Sequence, residues 1–134
     1  MKRTLSLKSA LIVGAAFSVG AFPIAAQSSG LAMLDSLARG QWTIKYRDGT
    51  DDRKICVKTG QEFIQLQHDQ MNCNRVVIES EAMQVTVQYT CQGAGYGRTS
   101  IRRETGALIQ IESKGISSGA PFQFAAEARR TGSC

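Results

Sequence analysis

His68 is the only histidine in a chain of 134 residues, so a catalytic triad or a histidine-based metal site would have to be built on that one ring. It stands in "LQHDQ", at the end of a helix-like segment, where an imidazole can satisfy terminal carbonyls, and this structural role outweighs a catalytic one. No Gly-x-Ser-x-Gly nucleophile elbow and no His-Glu-x-x-His pattern occurs. Glu79 and Glu81 flank a turn, while Glu104, Glu112 and Glu127 alternate with apolar neighbours as solvated strand residues do. They form no evident pair facing across a cleft, as glycoside hydrolysis requires. Catalytic residues, metal ligands and cofactors are therefore all expected to be none.

The run "GAGYGR", Gly93 to Arg98, has closely spaced glycines of the kind that cradle phosphate. A dinucleotide fingerprint follows a strand and opens a helix, whereas the residues after Arg98, "TSIRRE", read as another strand. The run is expected to be a hairpin loop presenting Tyr96 and Arg98 at a sheet rim. Arg103 shares a strand face with Ile101 and Thr99, so it needs a partner or must snorkel to the rim.

Four cysteines, Cys56, Cys73, Cys91 and Cys134, are the remaining chemistry. Zinc sites usually include a close pair such as Cys-x-x-Cys, and no two here stand closer than Cys56 and Cys73. The opening "MKRTLSLKSALIVGAAFSVGAFPIAAQSSG" explains them better. Lys2, Arg3 and Lys8 precede an apolar run from Ala10 to Phe22 and then small residues, the layout of a secretory signal peptide cleaved after Ala26. The apolar run is too short for a bilayer-spanning helix, so no membrane span is expected after cleavage. Export to a periplasmic or secreted location makes disulfides the default state of the thiols.

Residues 1–26 thus read as signal peptide and 27–134 as a single disulfide-bonded domain. Three of the 16 basic residues leave with the signal, which removes most of the net charge of +5. No basic cluster is interleaved with aromatics, and nucleic acid is not an expected partner.

The elements that position these residues are mostly strands. "LAMLDSLAR", Leu31 to Arg39, has leucines at spacings of three and reads as a short amphipathic helix ended by Gly40. "QWTIKYR" alternates Trp42, Ile44 and Tyr46 against polar residues, and "RKICVK" returns after the turn "DGTDD". Thr59 followed by Glu62 is a capping-box pattern opening a second helix over about 60–68. Five further strands follow: "NRVVIES", "QVTVQYTC", "RTSIRRE", "ALIQIESKGI" and "PFQFAAEARR". The "ETG" turn, with Gly106 left-handed, would set Ile101 opposite Ile109.

The expected fold is mainly β (α+β): an antiparallel meander of about seven strands, curled into a partly closed barrel-like sheet, with two short helices. An open sheet with a helix against it is the alternative. Strand parity ranks the three possible disulfide pairings. The hairpin turning at Glu81 to Met83 brings Cys73 and Cys91 to one end of the sheet, provided both face the same side or a bulge lies near Asn74. A crossover through 60–68 makes the third strand parallel to the second, and four more antiparallel strands then bring Cys134 beside Cys56. Cys73 with Cys91 and Cys56 with Cys134 is the preferred set. Cys56 with Cys73 and Cys91 with Cys134 is the rival.

The helix leading into "LARGQWTIKYR", then "RKICVKTGQEFIQL", "YTCQGAGYGRTSIR" and the closing "ARRTGSC" together resemble a domain-of-unknown-function family (number 3617) of small exported bacterial proteins. The resemblance spans Leu31 to Cys134 and implies a periplasmic, disulfide-bonded domain in a Gram-negative bacterium. It carries no catalytic residues with it.

The function expected from all this is a small binding or interaction module without catalytic activity. Its partner would be a protein, or a small apolar ligand held by the barrel. Trp42, Tyr46, Tyr89, Tyr96, Arg98 and Arg103 are the candidate contact residues. A small hydrolase or thiol-redox enzyme, and a purely structural envelope protein, are the alternatives.

Overall fold

The computed structural model describes residues 31–70 and 72–134; the signal peptide read over 1–26 lies outside the described residues. The elements run α1 (Ala32–Asp35), β1 (Gly40–Tyr46), β2 (Arg53–Val57), a 3-10 turn (Gln61–Phe63), β3 (Cys73–Ser80), β4 (Gln84–Cys91), β5 (Gly95–Thr105), β6 (Leu108–Ser117) and β7 (Ala120–Gly132). All seven strands form one antiparallel sheet in the order β2-β1-β7-β6-β5-β4-β3. The meander expectation holds for β3 to β7, and β1 then closes onto β7.

Every strand except β3 shows the period of two that its sequence carries. Trp42 and Ile44 of β1, Val85, Val87, Tyr89 and Cys91 of β4, Ile101 of β5, Ile109 and Ile111 of β6, and Ala126 and Ala128 of β7 are buried on one face. Leu34, Phe63 and Ile64 pack onto them from the segments that precede and follow β1 and β2. Trp42 meets Phe63 edge-on at 5.2 Å and donates its indole N–H to the Ala38 carbonyl at 2.9 Å.

Two expectations need correction. The sheet is not closed: β2 and β3 are its two edges and do not pair, so the barrel-like reading gives way to an open sheet. The segment after β2 fills the place a closing ladder would take. Arg53 of β2 donates to the Leu66 carbonyl at 2.7 Å and reaches Asp69, while Arg75 of β3 donates to the side chains of Gln61 and Gln65. Both edges thus grip one wedge of chain through side chains rather than through backbone pairing.

The two helices are also shorter than expected, one to a single α-turn and the other to a 3-10 turn. Tertiary bonds take the groups that would propagate them. In the first, the Ser36 hydroxyl binds the Met33 carbonyl and the Ala38 amide leaves for the Gly106 carbonyl. In the second, an α-helix would pair the Ile64 carbonyl with the His68 amide. Here Thr99 donates its hydroxyl to that carbonyl at 2.6 Å, and the His68 amide goes to Gln65. The leucine stripe and the capping residues were still informative: Leu31, Leu34 and Leu37 are buried, and the Glu62 carboxylate accepts from the Lys58 and Thr59 amides. Burial raises the Glu62 carboxyl pKa, and hydrogen bonds from the Glu62, Lys58 and Thr59 amides and the Thr59 hydroxyl outweigh it, holding the group below its usual range.

The preferred disulfides form. Cys73 stands directly opposite Cys91, Cα to Cα 4.3 Å, with Arg75 and Val77 continuing on the same side; the β3 bulge lies further on, at Ile78, not near Asn74. Cys56 joins Cys134 across the end of β1, because Cys56 pairs with Gln41 and Gln41 pairs with Gly132. The β5–β6 turn departs from expectation: a register shift between Arg103 and Thr105 sets Ile101 opposite Ile111, and Gly106 is not left-handed.

Candidate functional site

The six aromatic and arginine residues singled out from the sequence separate into inward and outward groups. Trp42 and Tyr89 are fully buried and are corrected from contact residues to core. An alternating strand puts an aromatic on the core face as readily as on the rim, so the pattern itself could not distinguish them. Tyr46 is half-buried, edge-on to Phe124 at 5.3 Å. Arg103 donates to the Ser36 hydroxyl at 2.9 Å, and its backbone amide binds the Met83 carbonyl. It braces the α1 end against the β3–β4 turn, which partners part of its guanidinium, while its Nε is buried without a hydrogen-bond partner. Only Tyr96 and Arg98 lie exposed, on the polar face opposite the core.

Tyr89 is locked in place. The His68 ring is buried, with Nδ1 2.9 Å from the Tyr89 hydroxyl and Nε2 3.3 Å from the Ala94 carbonyl. A carbonyl only accepts, so Nε2 carries the proton and Nδ1 is left to accept from the tyrosine. His68 does satisfy a carbonyl, but that of the β4–β5 turn rather than of its own segment. Burial pushes the Tyr89 hydroxyl pKa up to about 12, the Ser113 hydroxyl pulling the other way.

The glycines of "GAGYGR" serve this packing. Gly93 and Gly95 hold positive φ in the turn. A Cβ at Gly97 would stand 2.5 Å from the Tyr89 ring and hydroxyl, so the strand glycine is the seat on which that ring lies.

The apolar side of the sheet is packed with the chain's own side chains. Exposed apolar surface appears elsewhere, and sequence reading missed it. Val76 is 61% exposed, Val77 40%, Ile78 46% and Met83 45%: all four belong to edge strand β3 or to the turn that leaves it. "NRVVIES" looks like a strand buried on both sides, and nothing local to it records that it would be last in the sheet order. The short Cα distance at Cys73–Cys91 marks a pair whose backbone groups point away from each other. By alternation, Arg75 also turns its N–H and C=O outward from the sheet. The disulfide ties one end of the edge to β4, and the Arg75 guanidinium donates to Gln61 and Gln65.

Among the described residues all four cysteines are bridged, no group of acids, histidine and cysteines could hold a metal ion, and no helix is long and apolar enough to cross a membrane. No family model, curated protein or solved structure matches the chain.

Proposed function

We propose that the chain is an exported interaction module that captures an extended segment of a partner protein along the free edge of β3. The observation that carries this reading is the exposed, disulfide-pinned apolar edge Val76–Val77–Ile78. Strand addition draws affinity from main-chain hydrogen bonds and specificity from alternate side chains, and β3 offers both. Arg75 at one end and Glu79 at the other give the edge a polarity that selects one direction of approach. Export rests on the signal-peptide pattern of residues 1–26 together with two disulfides, which suit an oxidising compartment such as the periplasm. The resemblance to the family of small exported bacterial proteins points the same way.

Selection from a displayed library of random peptides tests it. Enriched peptides should alternate apolar residues, bind with micromolar affinity and shift the amide resonances of residues 74–79. Val76→Glu and Ile78→Lys, both at exposed positions, should abolish binding without unfolding the protein. Peptides that bind these variants as well as the parent would refute the reading.

A further inference from the structure

On the polar face, cross-strand pairing sets out rows of side chains. One row runs Val76, Gln88, Arg98, Lys114, Gln123 from β3 to β7. Its centre is unusual: Arg98 and Lys114 are direct cross-strand partners, and like charges placed opposite each other destabilise a sheet. Among the described residues neither side chain has a hydrogen bond or an ion pair, although Arg53, Arg102 and Arg129 all have acidic partners. The nearest carboxylates of the face, Glu79 and Glu112, occupy the next row, with Thr86 and Ser100. Glu79 is engaged there by hydrogen bonds from Gln84 and Thr86 and feels Arg98 only through space.

Arg98 and Lys114 border one opening that they share with Glu79 and Glu112 and, away from those acids, a groove of about 380 Å³ lined also by Gln88, Tyr96, Gly115 and Phe122. Its lining contains two cations, an amide and a phenol 49% exposed, and no carboxylate. A like-charged pair held side by side on a four-strand platform, with no carboxylate in direct contact with either cation, is a receptor for an external anion. Two adjacent positive charges match a dianion better than a monoanion, and the guanidinium fork presents paired N–H donors to tetrahedral oxygens.

We infer that Arg98 and Lys114, with Tyr96 and Gln88 beside them, form a binding site for a phosphate group. The inference is independent of the β3 edge, since the site lies over β4–β7. The phosphate can come from a free phosphorylated small molecule or from a lipid headgroup that ends in a phosphomonoester, both offering the same dianionic oxyanion.

The test is a titration of the full-length mature protein with inorganic phosphate, followed by amide and tyrosine-ring resonances, with sodium chloride of equal ionic strength as control. Phosphate should shift Gln88, Tyr96, Arg98 and Lys114 saturably. Arg98→Gln and Lys114→Gln should each weaken binding about tenfold or more, as the loss of one charge-assisted contact implies. Lys114→Arg should retain it. Vesicles containing phosphatidic acid, whose headgroup is a phosphomonoester, against phosphatidylcholine alone, form the second arm. Shifts with vesicles and phosphate together, or with either one, support the site and identify its source. Shifts no larger than those from chloride in both arms, or binding unchanged in Arg98→Gln, would overturn it. Both substitutions are at exposed strand positions, and an unchanged spectrum elsewhere verifies that the fold is intact.

Discussion

Replacing Cys56 and Cys134 together by serine should cost ~3–4.5 kcal/mol of unfolding free energy, nearly all of it through the unfolded chain. The bridge closes a loop with a sequence separation of 78. The chain-entropy relation assigns such a loop about 15 cal/mol/K, or about 4.5 kcal/mol at 25 °C. Measured losses usually fall somewhat short, because real unfolded chains keep residual structure. Both cysteines are exposed, so little transfer energy is lost with the sulfurs. Cys73–Cys91 is the contrasting case: its separation of 18 assigns about 3 kcal/mol, but Cys91 is buried and its removal adds a packing loss. Urea unfolding at a single temperature, extrapolated linearly, measures each difference. The Cys56/Cys134 variant should also gain slope with denaturant, since its unfolded state exposes more surface. A loss below about 1 kcal/mol with an unchanged slope would refute the argument, and would mean that the clasp between β2 and β7 restrains nothing that β1 does not already hold.

Gly97→Ala should destabilise the protein by ~1–3 kcal/mol, the usual cost of overpacking, because the new methyl displaces the Tyr89 ring; thermal unfolding reads it. His68→Phe should cost ~1–3 kcal/mol by removing the partner of a buried hydroxyl, and Tyr89→Phe combined with it should recover part of the loss in a double-mutant cycle. Tyr89 also sets an alkaline limit. Its folded pKa lies above the unfolded value of 10.0, so its contribution is complete below pH 10 and is lost as the pH rises toward about 12. At ~1.4 kcal/mol per unit the ceiling is near 3 kcal/mol, and screening reduces the expected loss to ~1–2 kcal/mol; Tyr89→Phe should flatten the stability profile over that window. Lys114→Gln should raise stability by ~0.2–1 kcal/mol at low salt, less at high salt, by relieving the repulsion with Arg98.

Strand alternation and strand parity were the parts of the fold most legible in the sequence. Val85, Val87, Tyr89 and Cys91 could be assigned to one face because a period of two survives any tertiary context. The disulfide pairing followed from counting strand directions, which needs no exact boundaries. Features that depend on a competition between local and distant bonds could not be read. The helix over 60–68 has good local signals, but Thr99, 35 residues away, takes the Ile64 carbonyl. The register of the β5–β6 turn failed because a bulge between Arg103 and Thr105 has no local signature. Of the contact residues, Tyr96 and Arg98 were found because they flank a turn, whereas Lys114 became visible only when pairing placed it opposite Arg98.

The way the sheet avoids closing explains why it has a free edge to offer. β2 and β3 run parallel, each tied to the segment 61–70 by an arginine: Arg53 to Leu66 and Asp69, Arg75 to Gln61 and Gln65. To pair with β2, β3 would have to expel this wedge and with it Phe63 and Ile64, two fully buried side chains. Burial of the two together is worth ~3–6 kcal/mol, as much as or more than a few ladder bonds at about 1 kcal/mol net each. The open edge is therefore the stable solution, not an unfinished barrel. An edge of this kind invites self-association, and two devices restrain it here: the bulge at Ile78 interrupts the straight template, and Arg75 and Glu79 place charges at both ends of the apolar triplet. Neither device covers Val76 or Val77. The strand is guarded against indiscriminate stacking while its centre stays available, as capture of one extended partner requires.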